Sequence, residues 1–267
     1  MIALVFPQSL EVRATCLKKF EDRSSHGTCP AEALREGGFT LIELLVVMAI
    51  IGILMVLVAP AFTNLKSAGD VTSAAYTVKG VLDTARTYAM ANNTYTWVGF
   101  YEENVSSTTP AAAGMGRLVM TIVASKDGTN VALSAGPINA TTLTQVGKLT
   151  KIENVHLATN LPVGSGASPS LTFDTRRPVA STYCLGDTAN STTPFQYPAG
   201  SPYTFMKAVQ FSPRGEAQIN NSTNSLQTAA EIGLVPTHGN ATPSSLPANV
   251  VAIQLTGVGG NVIIYRR

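Results

Sequence analysis

Between residues 39 and 62 the chain is apolar almost without interruption, and Glu43 is its one ionisable side chain. From Leu44 to Ala59 no charge occurs at all. A helix rises 1.5 Å per residue, so this run makes about 36 Å of helix against a bilayer core of roughly 30 Å. The pattern predicts a membrane-spanning helix rather than a buried core helix. Past Pro60 the pattern changes. Val71, Ala74, Ala75, Val78, Val81, Leu82, Ala85 and Ala89 recur at spacings of three and four, which predicts an amphipathic helix over 63–93. Lys79, Asp83 and Arg86 are expected to face away from its apolar side, with Asp83 and Arg86 spaced as a surface pair. Gly69-Asp70 is expected to loosen the helix, and Asn92-Asn93 to end it, since Asn tolerates the left-handed cap.

Alternating and β-branched stretches follow. They predict strands over 95–101, 117–124, 149–157, 170–174, 208–212, 216–219, 250–256 and 261–265. Gly257-Val258-Gly259-Gly260 reads as a hairpin turn, and Phe211-Ser212-Pro213-Arg214-Gly215 as a turn between short strands. One long helix followed by many antiparallel strands is an α+β layout, with the helix packed on an antiparallel β-sheet domain over 94–267. Loops over 158–170 and 185–202 are polar and read as exposed surfaces available for binding.

Composition suits an exported domain better than a cytosolic enzyme. Charged residues make up 13% of the chain, about half the usual globular value. Thr, Ser, Asn, Ala and Gly take their place, which suits an exported, sheet-rich domain. Net charge is +2. Residues 1–38 carry as many acids as bases, so the rest of the chain is also +2. No strong field draws it to nucleic acid. The apolar run separates Cys16 and Cys29 from Cys184, so a disulfide scaffold is not expected, and the spacing fits no zinc site.

Candidate chemistry is sparse. His156 and His238 are isolated in sequence, and no Gly-x-Ser-x-Gly, phosphate loop or His-Glu-x-x-His appears. The acids are too dispersed for a calcium site. The expectation is a protein that is not an enzyme and holds no metal or cofactor. Arg176, Arg177, Arg214, Arg266 and Arg267 form basic islands and are candidate phosphate contacts, though solvated surface charge is the favoured reading.

Glu43 is the residue that asks for an explanation, because a charge at helix-centre depth in a bilayer costs about 2.5–3.5 kcal/mol. A small pair, Gly37-Gly38, stands before the run, where a secretory signal would carry its small residues after it. A cut after Gly38 would keep the helix, make Phe39 the new amino terminus and leave Glu43 as the fifth mature residue. The amine of a neighbouring chain could then neutralise Glu43.

Gly38-Phe39-Thr40-Leu41-Ile42-Glu43 followed by the long apolar helix closely resembles the class III signal of type IV pilins and type II secretion pseudopilins. The leader departs from the family, where it is often short and basic. The resemblance implies that a prepilin peptidase removes residues 1–38, cutting after Gly38 and methylating Phe39. It implies that Glu43 serves filament assembly, and that residues 39–62, including Leu41, Leu44, Leu45, Gly52, Leu57 and Pro60, form a transmembrane helix that later packs in the filament core. Gly52 and Pro60 fall where many family members carry a helix-loosening Gly and Pro. The implied fold is the pilin fold. The implied partners are the peptidase, other pilin or pseudopilin subunits and the inner membrane, with the globular domain in the periplasm. The stretch 82–92, "FSPRGEAQI" and "VVAIQLTGVGGNVIIY" resemble H-type minor pseudopilins and related minor pilins. The alternative reading is a minor pilin that binds DNA or an exported substrate through its loops and arginines.

Overall fold

A computed structural model of the chain describes residues 40–131, 136–158, 161, 173, 175–186, 194–198, 200–219, 226–242 and 247–267, with the side chains of 57–68 set aside. Two compact units divide it, Met1–Ile53 and Leu54–Arg267. Helix α1, Leu41–Ala91, contributes to both.

In the first unit the large apolar side chains from Leu41 to Ile53 are all exposed. Among the described residues no helix is long and apolar enough to cross a membrane. The described side chains of the run end at Val56, so the predicted span over 39–62 reaches beyond them at both ends.

Among the described residues of the second unit eleven strands follow α1: β1 (Thr96–Asn104), β2 (Gly116–Ser125), β3 (Leu143–Gln145), β4 (Thr150–Ala158), β5 (Phe195–Gln196), β6 (Thr204–Phe205), β7 (Lys207–Phe211), β8 (Ala217–Ile219), β9 (Ala229–Pro236), β10 (Val251–Thr256) and β11 (Val262–Arg266). Nine of them form one sheet in the order β11-β10-β9-β4-β2-β1-β7-β8, with β3 added on β2, and β5 pairs β6 separately. Every strand pairing is antiparallel. The α+β class with an antiparallel sheet is therefore as expected.

The amphipathic pattern after Pro60 finds its partner here. Val71, Ala74, Ala75, Val78, Leu82, Ala85 and Ala89 share one core with Val98, Phe100, Leu118, Met120, Ile232, Leu234 and Ile253 of the sheet. Four of those seven helix positions are Ala, which brings backbone and sheet close. Burying Val78 or Leu82 stabilises by about 1.5–3 kcal/mol each. The helix runs through Gly69-Asp70 without a break, so the expected loosening is not seen there. Asp70 instead accepts a hydrogen bond from Asn154 Nδ2 at 2.9 Å. It ends as expected. Asn93 sits at φ 48°, and Thr94 N–H reaches back to Ala89 O at 3.0 Å, a Schellman closure.

Asp83 pairs with Lys79 at 3.2 Å, not with Arg86. The i,i+4 partner won because Arg86 turns inward. A Cβ on Gly260 would stand 2.9 Å from Arg86 Nε, and one on Gly215 3.3 Å. Both glycines have positive φ, so the two predicted turns close over the Arg86 side chain where no larger residue fits.

The outer face of the sheet is covered too, by segments between the strands. Trp97, Val123, Ile138, Leu143, Phe195 and Phe205 form one cluster there. Ala158, Leu161, Phe173, Val235, Val250 and Ala252 form another. The loops read as polar surfaces thus carry buried anchors in their described parts. A Cβ on Gly99 would lie 2.6 Å from Phe195 and 2.7 Å from Phe205, so Gly99 makes the gap into which the two stacked rings fit.

The sequence pattern missed β9, in the interior of the sheet, and the short β3, β5 and β6. All eight residues of β9 are buried, so it shows no alternation, and its Gly, Glu and Pro are poor strand formers. The strand expected over 170–174 lies mostly outside the described residues, and Phe173 is in a turn.

Candidate processing and assembly site

Gly38 and Phe39 lie outside the described residues, so the site begins at Thr40. Leu44 N–H donates to Thr40 O at 3.2 Å, the first bond of α1. Thr40 is therefore the N-cap and Glu43 the third helical residue. Glu43 Oε2 accepts from Thr40 N–H and from Thr40 Oγ1, both at 2.9 Å. Glu43 N–H donates back to Thr40 Oγ1 at 3.3 Å. This is a reciprocal capping box. The spacing Thr-x-x-Glu before an apolar run is its sequence signature, and the sequence reading passed over it. The Thr40 N–H and hydroxyl, with the positive end of the helix dipole, hold the carboxylate at the first turn of α1. Leu41, Leu44 and Leu45 around it are 83%, 62% and 56% exposed. A Cβ on Gly52 would meet nothing within 4 Å. The side chains of Leu57 and Pro60 fall outside the described set.

The candidate nucleic-acid contacts do not come together. Arg176 is 2% exposed. Its Nε donates to Glu231 Oε2 at 3.0 Å, its other nitrogens to Phe173 O and Leu161 O, and its guanidinium lies 4.0 Å from the Phe173 ring centre. Facing inward, it cannot meet a phosphate at the surface. Arg177, Arg214, Arg266 and Arg267 are exposed. Arg214 sits on the turn before β8, whose Gly215 lies against Gly260 of the β10–β11 turn, and Arg266 sits at the other end of β11. Arg266 lies over the Tyr76 ring at 5.2 Å.

Two carboxylates outside the helix are held ionised. Glu103 is buried, which works to raise its pKa. Hydrogen bonds from Arg117 at 3.0 Å and the Ala111 N–H at 3.0 Å, with Lys151 nearby, outweigh burial and hold the group below its ordinary value. Exposed Asp127 accepts from Ser125 Oγ at 2.7 Å and from the Thr129 N–H and hydroxyl at 3.0 and 2.8 Å, which brings it down to about 2. His156 Nδ1 meets Glu102 Oε1 at 2.5 Å, and the Leu157 N–H donates to the same oxygen. Among the described residues no three His, Cys, Asp or Glu gather as a metal site.

Neither curated proteins nor solved structures give a match to this chain. Residues 34–59 match the family described as the prokaryotic N-terminal methylation motif. That stretch holds Gly38, Phe39, Thr40 and Glu43, so the chain carries a prepilin-type methylation signal, of the kind prepilin peptidase processes, over the helix start built around its capped acid.

Proposed function

We propose that the protein is a structural, non-enzymatic, minor subunit of a type IV pilus-like or type II secretion pseudopilus filament. Prepilin peptidase removes residues 1–38 and methylates Phe39. Residues 39–62 hold the subunit in the inner membrane with its sheet domain in the periplasm. The same helix later packs against neighbouring subunits, and the whole chain takes the pilin fold. The observation that carries this reading is the methylation motif over residues 34–59. The capping box supports it. It aims the Glu43 carboxylate at the start of the helix, where a cut after Gly38 would create an amine, and a carboxylate entering an apolar filament core needs such a cation. The burial of Arg176 favours a filament subunit over a DNA-binding one.

N-terminal sequencing and intact mass of protein extracted from native membranes test it. The expected chain begins at N-methylated Phe39. A terminus beyond Ala61, with the apolar run removed, would mean an ordinary signal peptide and end the filament reading.

A further inference from the structure

The chain repeats a three-residue pattern that the filament reading does not use. At seven of its fifteen asparagines, Ser or Thr follows two positions later with no proline between, although only about one residue in five of the chain is Ser or Thr. Asn-x-Ser/Thr is the acceptor sequence for N-linked glycans on exported proteins. The hydroxyl at the third position is what the transferase reads, so a usable site needs both side chains at the surface.

The described part of the fold separates four of these sequences. At Asn92 the hydroxyl partner, Thr94, is 5% exposed and donates to Ser125 O at 2.8 Å. Asn104 is half-buried and lies against Gly114, where an added Cβ would stand 2.5 Å from Asn104 Cβ. Asn240 is exposed, but Pro243 follows Thr242 and restrains the backbone at the residue to be read. Asn139 and Thr141 are both exposed. Ile138 and Leu143 are buried on either side and anchor the loop. Thr141 N–H donates to Asn139 Oδ1 at 3.0 Å. This occupies the amide oxygen, and among the described residues no hydrogen bond engages the nitrogen, the atom that would be modified, on this exposed residue.

We infer that Asn139 is an N-glycosylation site, an inference that rests on the export of this domain proposed above. The donor is an oligosaccharide carried on a lipid diphosphate. A bond forms between Asn139 Nδ2 and the anomeric carbon, and the bond from that carbon to the diphosphate oxygen breaks. The lipid diphosphate leaves with the electron pair, and the amide gives one proton to a base of the transferase.

Full-length protein from native membranes, digested after Lys and Arg, yields a peptide over 127–148 that contains this one acceptor sequence. Tandem mass spectrometry is expected to find it carrying one oligosaccharide on Asn139, with sugar fragment ions. Thr141→Ala should abolish the added mass although Asn139 remains, and Thr141→Ser should keep it. The Thr141 contact to Asn139 is made by its backbone, so neither variant disturbs the loop. A bare Asn139 in a chain that begins at Phe39 and is exported overturns the site, as does a glycan that survives Thr141→Ala. A chain that is neither processed nor exported sinks the filament reading and the glycan together.

Discussion

At Glu43 two roles share one carboxylate, and substitution separates them. As a cap, it accepts the Thr40 N–H and hydroxyl, work that a glutamine also performs in a capping box. As a charge, in the filament reading proposed above, it would neutralise an amine, which glutamine cannot do. Glu43→Gln is therefore expected to keep helix content, cleavage and membrane level, yet lose most of its incorporation into sheared filaments. Glu43→Ala should lose incorporation and also fray the start of the helix, because the capping box is lost. Normal incorporation of the glutamine variant would reduce Glu43 to a cap. Asp127 gives a second test at this scale. Its folded pKa of about 2 lies below the unfolded value, near 3.9, so its contribution is complete above about pH 4 and lost as pH falls through about 2. A carboxyl NMR titration should place its midpoint near 2, and Thr129→Ala should raise it. A midpoint near 4 in the parent protein would mean that the Ser125 and Thr129 bonds do not form.

Among the elements, β9 is where the sheet depends on something other than apolar packing. Its Glu231 is 3% exposed and faces the outer side with Gly233 and Val235. Gln254, directly opposite on β10, donates to it at 2.9 Å, and Arg176 supplies the charge at 3.0 Å. β4 pairs with β9 only from Gly233 onward. Before that point Cys184 and Leu185 take the free side of the strand, with Leu185 N–H on Glu231 O at 2.8 Å. Arg176 and Glu231 thus pin the segment after β4 over the sheet. Arg176→Met leaves a buried carboxylate without its cation, and chemical denaturation should show a loss of about 3–5 kcal/mol. The double variant Arg176→Met/Glu231→Leu should recover most of that loss, because the desolvation penalty goes with the charges. A double variant no more stable than the single one would mean the pair is worth more than its desolvation costs.

For the whole molecule, the covering of the sheet on both faces has a practical consequence. Helix residues from Val71 on close one side, and Phe195, Phe205, Phe173 and Leu161 close the other. Among the described residues from Val71 on, few large apolar groups are left exposed, whereas those from Leu41 to Val56 all are. A fragment beginning near Asn64 is expected to be soluble, with circular dichroism of mixed helix and sheet and a cooperative thermal transition. A disordered fragment would mean that the sheet domain needs the apolar run to fold.

The amphipathic helix, its end at Asn93, the α+β class and most of the larger strands could be read from the chain because each rests on a short-range period or a local steric demand. The helix start could also have been read, since Thr40 and Glu43 stand three residues apart. Other features depended on residues distant in sequence. β9 has no period because both its faces are covered. Arg176 looked like surface charge until Glu231, 55 residues away, gave it a buried partner. Arg86 looked like half of a surface pair until two glycine turns from the far end of the chain closed over it. The loops looked polar by composition, yet in their described parts Leu161, Leu185 and Phe195 are buried against the sheet. Local patterns record what a segment can do alone. Burial and charge pairing are properties of the neighbours that folding brings, and no window of sequence contains them.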